Sequence, residues 1–270
     1  MRIATVAAWA MLAAIPVALA ESPPATANAD ATASDSGTSW HEKTEVDVEG
    51  AGESWIGVEA YRRAVSAYSG ATSAPFNNLR QDGFRLRVVA GNSLYNYTSG
   101  RYDPVSDNNV WVRYRGLGRF IDVLPGWQFS GGETTVKAFI GYDYQSNIVG
   151  PYDPDLKIQR TASGVKGALE IWQNWTPKTW SSVDLSVARA NITYSAQVRS
   201  GVRFEAFGTA GWSIGPEFAQ VGNTQTTLRR AGLLLRYEDL GYEFTISGGV
   251  ARSNNDVPTG YVNAQYLRRF

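Results

Sequence analysis

The sequence contains no cysteine and a single histidine among 270 residues. The missing thiols exclude disulfide bridges, thiolate metal sites and cysteine nucleophiles. The histidine, His41, lies in a polar N-terminal segment, so the rest of the chain has no imidazole for metal binding or acid–base catalysis. Charged residues are also few, at 19% against about 25% in an ordinary soluble domain.

Long apolar runs are confined to the start of the chain. Arg2 precedes an apolar stretch over residues 3–17, and Ala18-Leu19-Ala20 forms a small-x-small cleavage pattern. The stretch is shorter than the roughly 20 residues of a membrane-spanning helix. We therefore expect residues 1–20 to be a Sec-type signal peptide. Because mean hydropathy is −0.26, a bundle of transmembrane helices is excluded.

The next segment, residues 21–52, is polar and acidic. It holds seven carboxylates and one lysine, and it has too little apolar surface to offset the entropy lost on ordering. We predict a disordered linker there. The remaining body, residues 53–270, carries 23 basic and 18 acidic residues, and 19 of the basic ones are arginine.

The sequence is rich in glycine (27 residues) and in aromatic side chains, and the body follows a period of two. For example, Ile56, Val58 and Ala60 alternate with Trp55, Gly57 and Glu59. Such alternation, interrupted by turn residues, is typical of β-strands. We predict about twelve strands, over residues 53–62, 82–91, 93–102, 117–129, 133–146, 161–174, 179–191, 192–204, 210–220, 226–237, 241–251 and 259–270.

Two fold classes fit these strands: a soluble β-sandwich with its apolar faces inside, and a membrane barrel with its apolar face outside. The strand lengths favour the barrel, because a bilayer crossing takes about 9–11 residues. Tyrosines and tryptophans near strand ends form the aromatic belt expected of a barrel, namely Trp127, Tyr142, Tyr144, Trp175, Tyr194, Trp212, Tyr237, Tyr242 and Tyr261. We therefore predict a closed antiparallel transmembrane β-barrel over residues 53–270, ending on an outward Phe270.

In such a barrel the charged face lines the lumen. It would collect seven acidic and eight basic residues, namely Glu59, Asp122, Asp143, Glu170, Asp184, Glu217 and Glu243 with Arg85, Arg87, Lys137, Lys166, Arg199, Arg203, Arg230 and Arg236. Near parity of charge predicts mutual ion pairs, because an unpaired desolvated charge is costly. Such a network either braces the wall or lines a path for a substrate.

Catalytic and metal-binding interpretations have little support. Glu170, Asp184 and Glu217 leave open a carboxylate pair of the glycosidase kind. The Tyr152-Asp153-Pro154-Asp155 loop offers two carboxylates, well short of the six to eight oxygen ligands of Ca²⁺. We therefore expect no enzyme activity and no cofactor.

Tryptophans on the charged face indicate a class of ligand. Apolar ring faces beside charged groups suit the C–H faces and hydroxyls of sugars, and Trp55, Trp172 and Trp180 lie on that face or at its rim. We expect a set of lumen residues to shape the barrel or contact glycan: Trp55, Glu59, Arg85, Arg87, Asp143, Glu170, Trp172 and Glu217.

Several short motifs in residues 53–270 together resemble the BcsS family of cellulose biosynthesis proteins. These motifs are Trp55-Ile56-Gly57-Val58-Glu59, Asp82-Gly83-Phe84-Arg85-Leu86-Arg87, Leu124-Pro125-Gly126-Trp127, Gly141-Tyr142-Asp143-Tyr144, Gly215-Pro216-Glu217 and the glycine of Arg230-Ala231-Gly232. The long acidic segment and residues 101–119 depart from the pattern. The resemblance carries over no catalytic residues.

What the resemblance implies is a noncatalytic barrel in the bacterial outer membrane that assists export or surface attachment of cellulose, an exopolysaccharide of biofilms. Its expected partners are outer-membrane lipid, cellulose and periplasmic cellulose synthase components, with no nucleic acid. The residues alone leave two alternatives open. One is a small-solute channel, and the other is a barrel enzyme acting on glycan or lipid.

Overall fold

A computed structural model describes residues 50–103, 107–207, 209–254 and 257–270. The predicted signal peptide, and the acidic linker up to residue 49, lie outside the described residues. No helix in the described part of the chain is long and apolar enough to cross a membrane.

The described residues form twelve β-strands joined by turns and loops, and the turn before the eighth strand contains a short 3₁₀ helix, Ala190–Ile192. The strands are β1 Gly52–Tyr61, β2 Ala64–Ser73, β3 Gly83–Asp103, β4 Asn108–Gly131, β5 Thr134–Gly150, β6 Thr161–Thr176, β7 Thr179–Ala188, β8 Thr193–Ala206, β9 Thr209–Gly222, β10 Thr227–Asp239, β11 Tyr242–Ser253 and β12 Thr259–Arg269.

Each strand pairs antiparallel with its neighbours in the sequence, and β12 pairs with β1 to close the sheet into a barrel. The closing register runs from Glu53 opposite Arg269 to Tyr61 opposite Tyr261. Closure pairs the backbone groups of both edge strands, as a barrel within lipid requires. The predicted closed antiparallel β-barrel is confirmed.

The apolar side of the two-residue repeat faces outward. On β5, Ile140 is 65% exposed and Tyr142 54%, whereas the next residue, Asp143, is fully buried. On β10, Leu233 is 61% exposed between the inward Gly232 and Leu234. An apolar exterior with a polar interior is the transmembrane arrangement and excludes a sandwich with an apolar core.

The aromatic belt is largely as expected. Trp127, Tyr142, Tyr144, Trp175 and Tyr242 are exposed on the outer wall. Tyr261, however, was wrongly assigned to this face, because it is buried inside with its hydroxyl 3.2 Å from Glu217 Oε1. Val262 and Tyr266 point outward on β12, and Tyr261 lies an odd number of residues from each of them. The two-residue period therefore places Tyr261 in the lumen.

One strand was missed and another was predicted as two, so the predicted number of twelve was still correct. Ala64–Ser73 forms β2 although alanines, serines and a glycine hide its alternation. The predicted strands over 82–91 and 93–102 are one strand, β3. Asn92, left between the two predicted strands, continues the ladder opposite Arg119 of β4.

The two ends of the barrel differ. The terminal end, defined here as the end that holds Gly52 and Phe270, has two-residue turns at 132–133, 177–178 and 240–241 and one longer loop, 74–82. The opposite end, named the loop end, holds the ten-residue loop 151–160, the turns at 189–192 and 223–226 and one two-residue turn, 62–63.

Candidate functional site

The lumen is the candidate site, because acidic and basic side chains from most of the strands converge in it. All of the predicted lumen acids and bases lie on inward positions of their strands. Most of them form ion pairs, as their nearly equal numbers predict: Lys166–Asp122 at 2.6 Å, Arg199–Asp184 at 2.8 Å, Arg236–Glu243 at 2.7 Å, Arg87–Glu170 and Arg230–Glu59.

Several of these pairs cross the lumen instead of joining neighbouring strands. Lys137 on β5 reaches Glu53 on β1 at 2.8 Å, four strands away around the wall. Arg87 on β3 makes a bidentate pair with Glu170 on β6, and its Nη2 lies 2.7 Å from Glu170 Oε2. Bidentate guanidinium–carboxylate pairs fix both distance and orientation. These bridges therefore brace parts of the wall that lie three or four strands apart.

Aromatic rings accompany the same cations. The guanidinium of Arg236 lies 4.6 Å from the ring centre of Trp172 and 5.0 Å from that of Trp180, and the two indoles stack at 4.5 Å. Arg87 lies 4.1 Å from the ring of Phe139 and 5.2 Å from that of Trp55. Cation–π contacts with desolvated rings stabilise a buried arginine and hold the ring in place.

A cavity of about 1340 Å³ occupies the lumen, and the residues of several of these bridges line it. The turns at 132–133, 177–178 and 240–241 contribute to its rim, so its mouth is at the terminal end. Its wall combines indole faces with charged and amide groups, including Trp55, Trp172, Arg87, Glu170, Gln197 and Arg203.

Loop 74–82 narrows the mouth, and Arg85 holds it there. The Arg85 guanidinium donates to Asn77 Oδ1 at 2.8 Å and to the Asn78 carbonyl at 3.1 Å, and it also donates to the Gln81 carbonyl. Gln128 donates to the Leu79 carbonyl at 2.6 Å. Leu79 and Arg80 thereby reach the cavity wall.

Loop 151–160 closes the loop end. Asp153 accepts a 2.5 Å hydrogen bond from Tyr97, whose ring stacks on that of Tyr114. On the far side of the same loop, the Lys157 amide donates to Gln225 at 3.3 Å. Because Tyr97 is on β3 and Gln225 is in the turn between β9 and β10, the loop spans the opening. Below it lie the buried Asp122 and Asp143.

The predicted site residues divide into two groups. Trp55, Glu59, Arg87, Glu170 and Trp172 line the cavity. Arg85, Asp143 and Glu217 do not line it: Arg85 anchors loop 74–82, Asp143 accepts from Gln145 at 2.8 Å, and Glu217 accepts from Gln197 at 2.9 Å. These three were expected in the lumen and are inward, but each is enclosed by neighbouring side chains. Contact with glycan remains a prediction for all eight.

Glu53 and the loops 74–82 and 151–160 were not predicted from the sequence as parts of the site. Glu53 is inward on β1, two residues before Trp55, so the period of two places it among the lumen acids. The loops gave no comparable signal, because their positions depend on contacts with residues distant in sequence, such as Gln128 and Tyr97.

The candidate carboxylates Glu170 and Asp184 each form an ion pair. Glu170 and Asp184 are register partners on β6 and β7, but Arg87 binds the first and Arg199 the second. Within the described ranges, no cluster of three or more potential ligands could hold a metal ion. Asp153 of the candidate calcium loop is engaged by Tyr97 and by the Asp155 amide.

Three solved structures are similar to this chain at very low sequence identity. The KdgM porin in complex with disordered oligogalacturonate is 8% identical over 81% of this chain and 99% of its own, with a TM-score of 0.45. The monoaromatic hydrocarbon channel TodX, as a deltaS2S3 mutant, is 8% identical over 86% and 94%, with a TM-score of 0.48. The outer membrane protein Omp33 of Acinetobacter baumannii is 14% identical over 83% and 99%, with a TM-score of 0.41.

The sequence comparisons give one family. No curated protein matches the chain. The family model "Cellulose biosynthesis protein BcsS" matches residues 20–270, which include the whole barrel. The chain therefore belongs to the BcsS family of cellulose biosynthesis proteins.

Proposed function

We propose that this protein is a noncatalytic barrel of the bacterial outer membrane that receives cellulose in its lumen and assists export or surface attachment of the glucan. The family supports the link to cellulose. The apolar outer wall supports a membrane location, because its exposed leucines, isoleucines and valines need a lipid surround.

The turn lengths support an orientation. Outer-membrane barrels have short periplasmic turns and longer extracellular loops. Three of the four fully described two-residue turns lie at the terminal end, and the longest described loop, 151–160, lies at the other end. We therefore put the terminal end in the periplasm and loop 151–160 at the cell surface. In this orientation the cavity opens toward the side from which newly made glucan arrives.

The single observation that carries the proposal is the cavity of about 1340 Å³ lined by Trp55 and Trp172 beside ion-paired carboxylates and arginines. Glucan rings present apolar C–H faces and equatorial hydroxyls, which suit indole faces flanked by charged hydrogen-bonding groups. Ligand pockets usually occupy about 300–1000 Å³, so this cavity has room for more than one sugar ring.

Trp172→Ala tests the proposal in a strain whose own copy of the gene is deleted. We expect the variant, and likewise Trp55→Ala, to restore less extracellular cellulose than the wild-type barrel and to bind cello-oligosaccharides at least about fivefold more weakly, since an aromatic contact is worth about 1 kcal/mol. Trp127→Ala, on the outer wall, is the matched control.

Heat-modifiable migration on a gel verifies that each variant forms a closed barrel. Cellulose yield, attachment and oligosaccharide binding that all stay at wild-type levels in folded Trp172→Ala and Trp55→Ala variants would overturn the proposal.

Two further parts of the proposal concern partners and catalysis. The acidic segment 21–49 is proposed to contact periplasmic cellulose synthase components, and its deletion should reduce cellulose attachment while leaving the barrel folded. The absence of catalysis predicts no sugar release from cellulose by the wild-type protein. Release that stops in Glu170→Gln or Asp184→Asn would instead reveal a glycosidase.

A further inference from the structure

Arg229 on β10 and Arg252 on β11 lie side by side on the outer wall, close to the loop end. They are direct register partners, and both side chains are exposed. Arg229 Nε donates to Gln220 at 3.1 Å, and in the described part of the chain no carboxylate pairs with either guanidinium. Like charges that face each other across two strands repel. The pair is therefore suited to sharing an anion.

An apolar groove begins directly beneath this pair. Val198, Phe218, Ala231 and Val250 form one row across four adjacent strands on the outer face. Because Ala231 is small and stands between Phe218 and Val250, a groove of about 510 Å³ opens along the wall, with Gln220 and the two arginines at its upper rim.

The outward residues of β10 change from basic at the loop end, through apolar side chains, to acidic at the terminal end. From Arg229, β10 continues outward through Ala231, Leu233, Leu235 and Tyr237 to Asp239 at the terminal end. The apolar stretch is the length that lipid covers, so the arginines stand at the upper headgroup boundary. Cations at that level attract anionic lipid headgroups.

We propose that this groove is a binding site for lipid A, the phosphorylated, acylated lipid of the outer leaflet, in which Arg229 and Arg252 hold one phosphate and the groove holds an acyl chain. Guanidinium groups bind phosphate oxygens through two parallel hydrogen bonds, which matches two arginines converging on one phosphate. The assignment to the outer leaflet uses the proposed orientation, but the site is separate from the lumen and independent of glucan binding.

Native mass spectrometry of the full barrel, titrated in detergent with bis-phosphorylated lipid A, tests the site. We expect Arg229→Gln/Arg252→Gln to weaken binding about tenfold, Arg229→Lys/Arg252→Lys to retain part of it, and Ala231→Leu to weaken it by filling the groove. Arg268→Gln is the matched control, since Arg268 is an outward arginine at the terminal end, and it should bind like the wild type.

Two outcomes would overturn the proposal. One is equal lipid A affinity of the wild type and of a folded Arg229→Gln/Arg252→Gln barrel. The other is that the wild type, titrated in the same way with phosphatidylglycerol, binds it as strongly as lipid A. That result would identify a surface that binds anionic lipids in general. Cellulose yield that falls in Trp172→Ala but not in the arginine variants would separate this site from the proposed lumen function.

Discussion

Arg87 shows how one side chain serves both the wall and the cavity. Its guanidinium binds Glu170 through two nitrogens, its Nε donates to Thr72 at 3.1 Å, and its planar face lies over Phe139 and Trp55. Such a group is held from every side, so the cavity wall formed by Trp55 and Glu170 is preorganised.

Arg87→Met should lower the free energy of unfolding by about 2–3 kcal/mol, because it leaves Glu170 charged in a mostly enclosed lumen without its partner. Glu170 remains 30% exposed, which limits the loss. Urea titration of the barrel in lipid vesicles measures the change. Arg87→Met/Glu170→Leu, which removes both charges, should recover most of it, and a single variant as stable as the wild type would contradict the bracing role.

Gly91→Val should lower the free energy of unfolding by about 1–3 kcal/mol, the usual cost of an overpacked interior. A Cβ at Gly91 would lie 2.4 Å from the Phe120 ring. Gly131→Val is the control, because nothing lies within 4 Å of its Cβ position. The same urea titration measures both variants. Equal stability of the two would show that the ring of Phe120 moves aside without cost.

Among the elements, loop 151–160 spans the loop end of the barrel. It is held at one edge by Tyr97 and at the other by Gln225, and it contacts Asn191 through the Gln159 amide at 2.9 Å. A path through the lumen therefore requires this loop to move, as lids do in other gated sites.

Replacement of residues 152–159 by a short glycine–serine linker should raise single-channel conductance in planar bilayers several-fold over a poorly conducting wild type. Asp153→Ala, which removes the acceptor for Tyr97, should increase the open fraction, whereas the exposed Asp155→Ala should not. Large discrete openings of the unmodified barrel would instead favour the small-solute channel.

The alternation of side chains made most of the elements predictable, and its failures have physical causes. Ile56 and Val58 mark the outward face of β1 clearly. On β2, the outward residues Ala67, Ser69 and Ala71 differ little in polarity from the inward residues. The two loops were beyond prediction, because Arg85 and Tyr97 position them through contacts that form only when the barrel closes.

At the scale of the whole molecule, the inward face could be predicted more fully than the accessible site. The two-residue alternation alone placed Glu59, Glu170 and Glu217 in the lumen, since successive residues of a strand point to opposite faces. Which of them borders open space depends on how neighbouring side chains fill the barrel, and Glu217 is enclosed by Ser247 and Tyr261.

The central claim is that one face of each strand contacts lipid while the other lines a water-filled lumen. The cysteine-free chain allows a direct test with nitroxide labels at two adjacent positions of β8, Gln197→Cys in the cavity wall and Val198→Cys on the outer wall. In a bilayer, we expect the label at 198 to be relaxed by oxygen and the label at 197 by a water-soluble nickel chelate. The reverse preference, or chelate access at both positions, would contradict a transmembrane barrel.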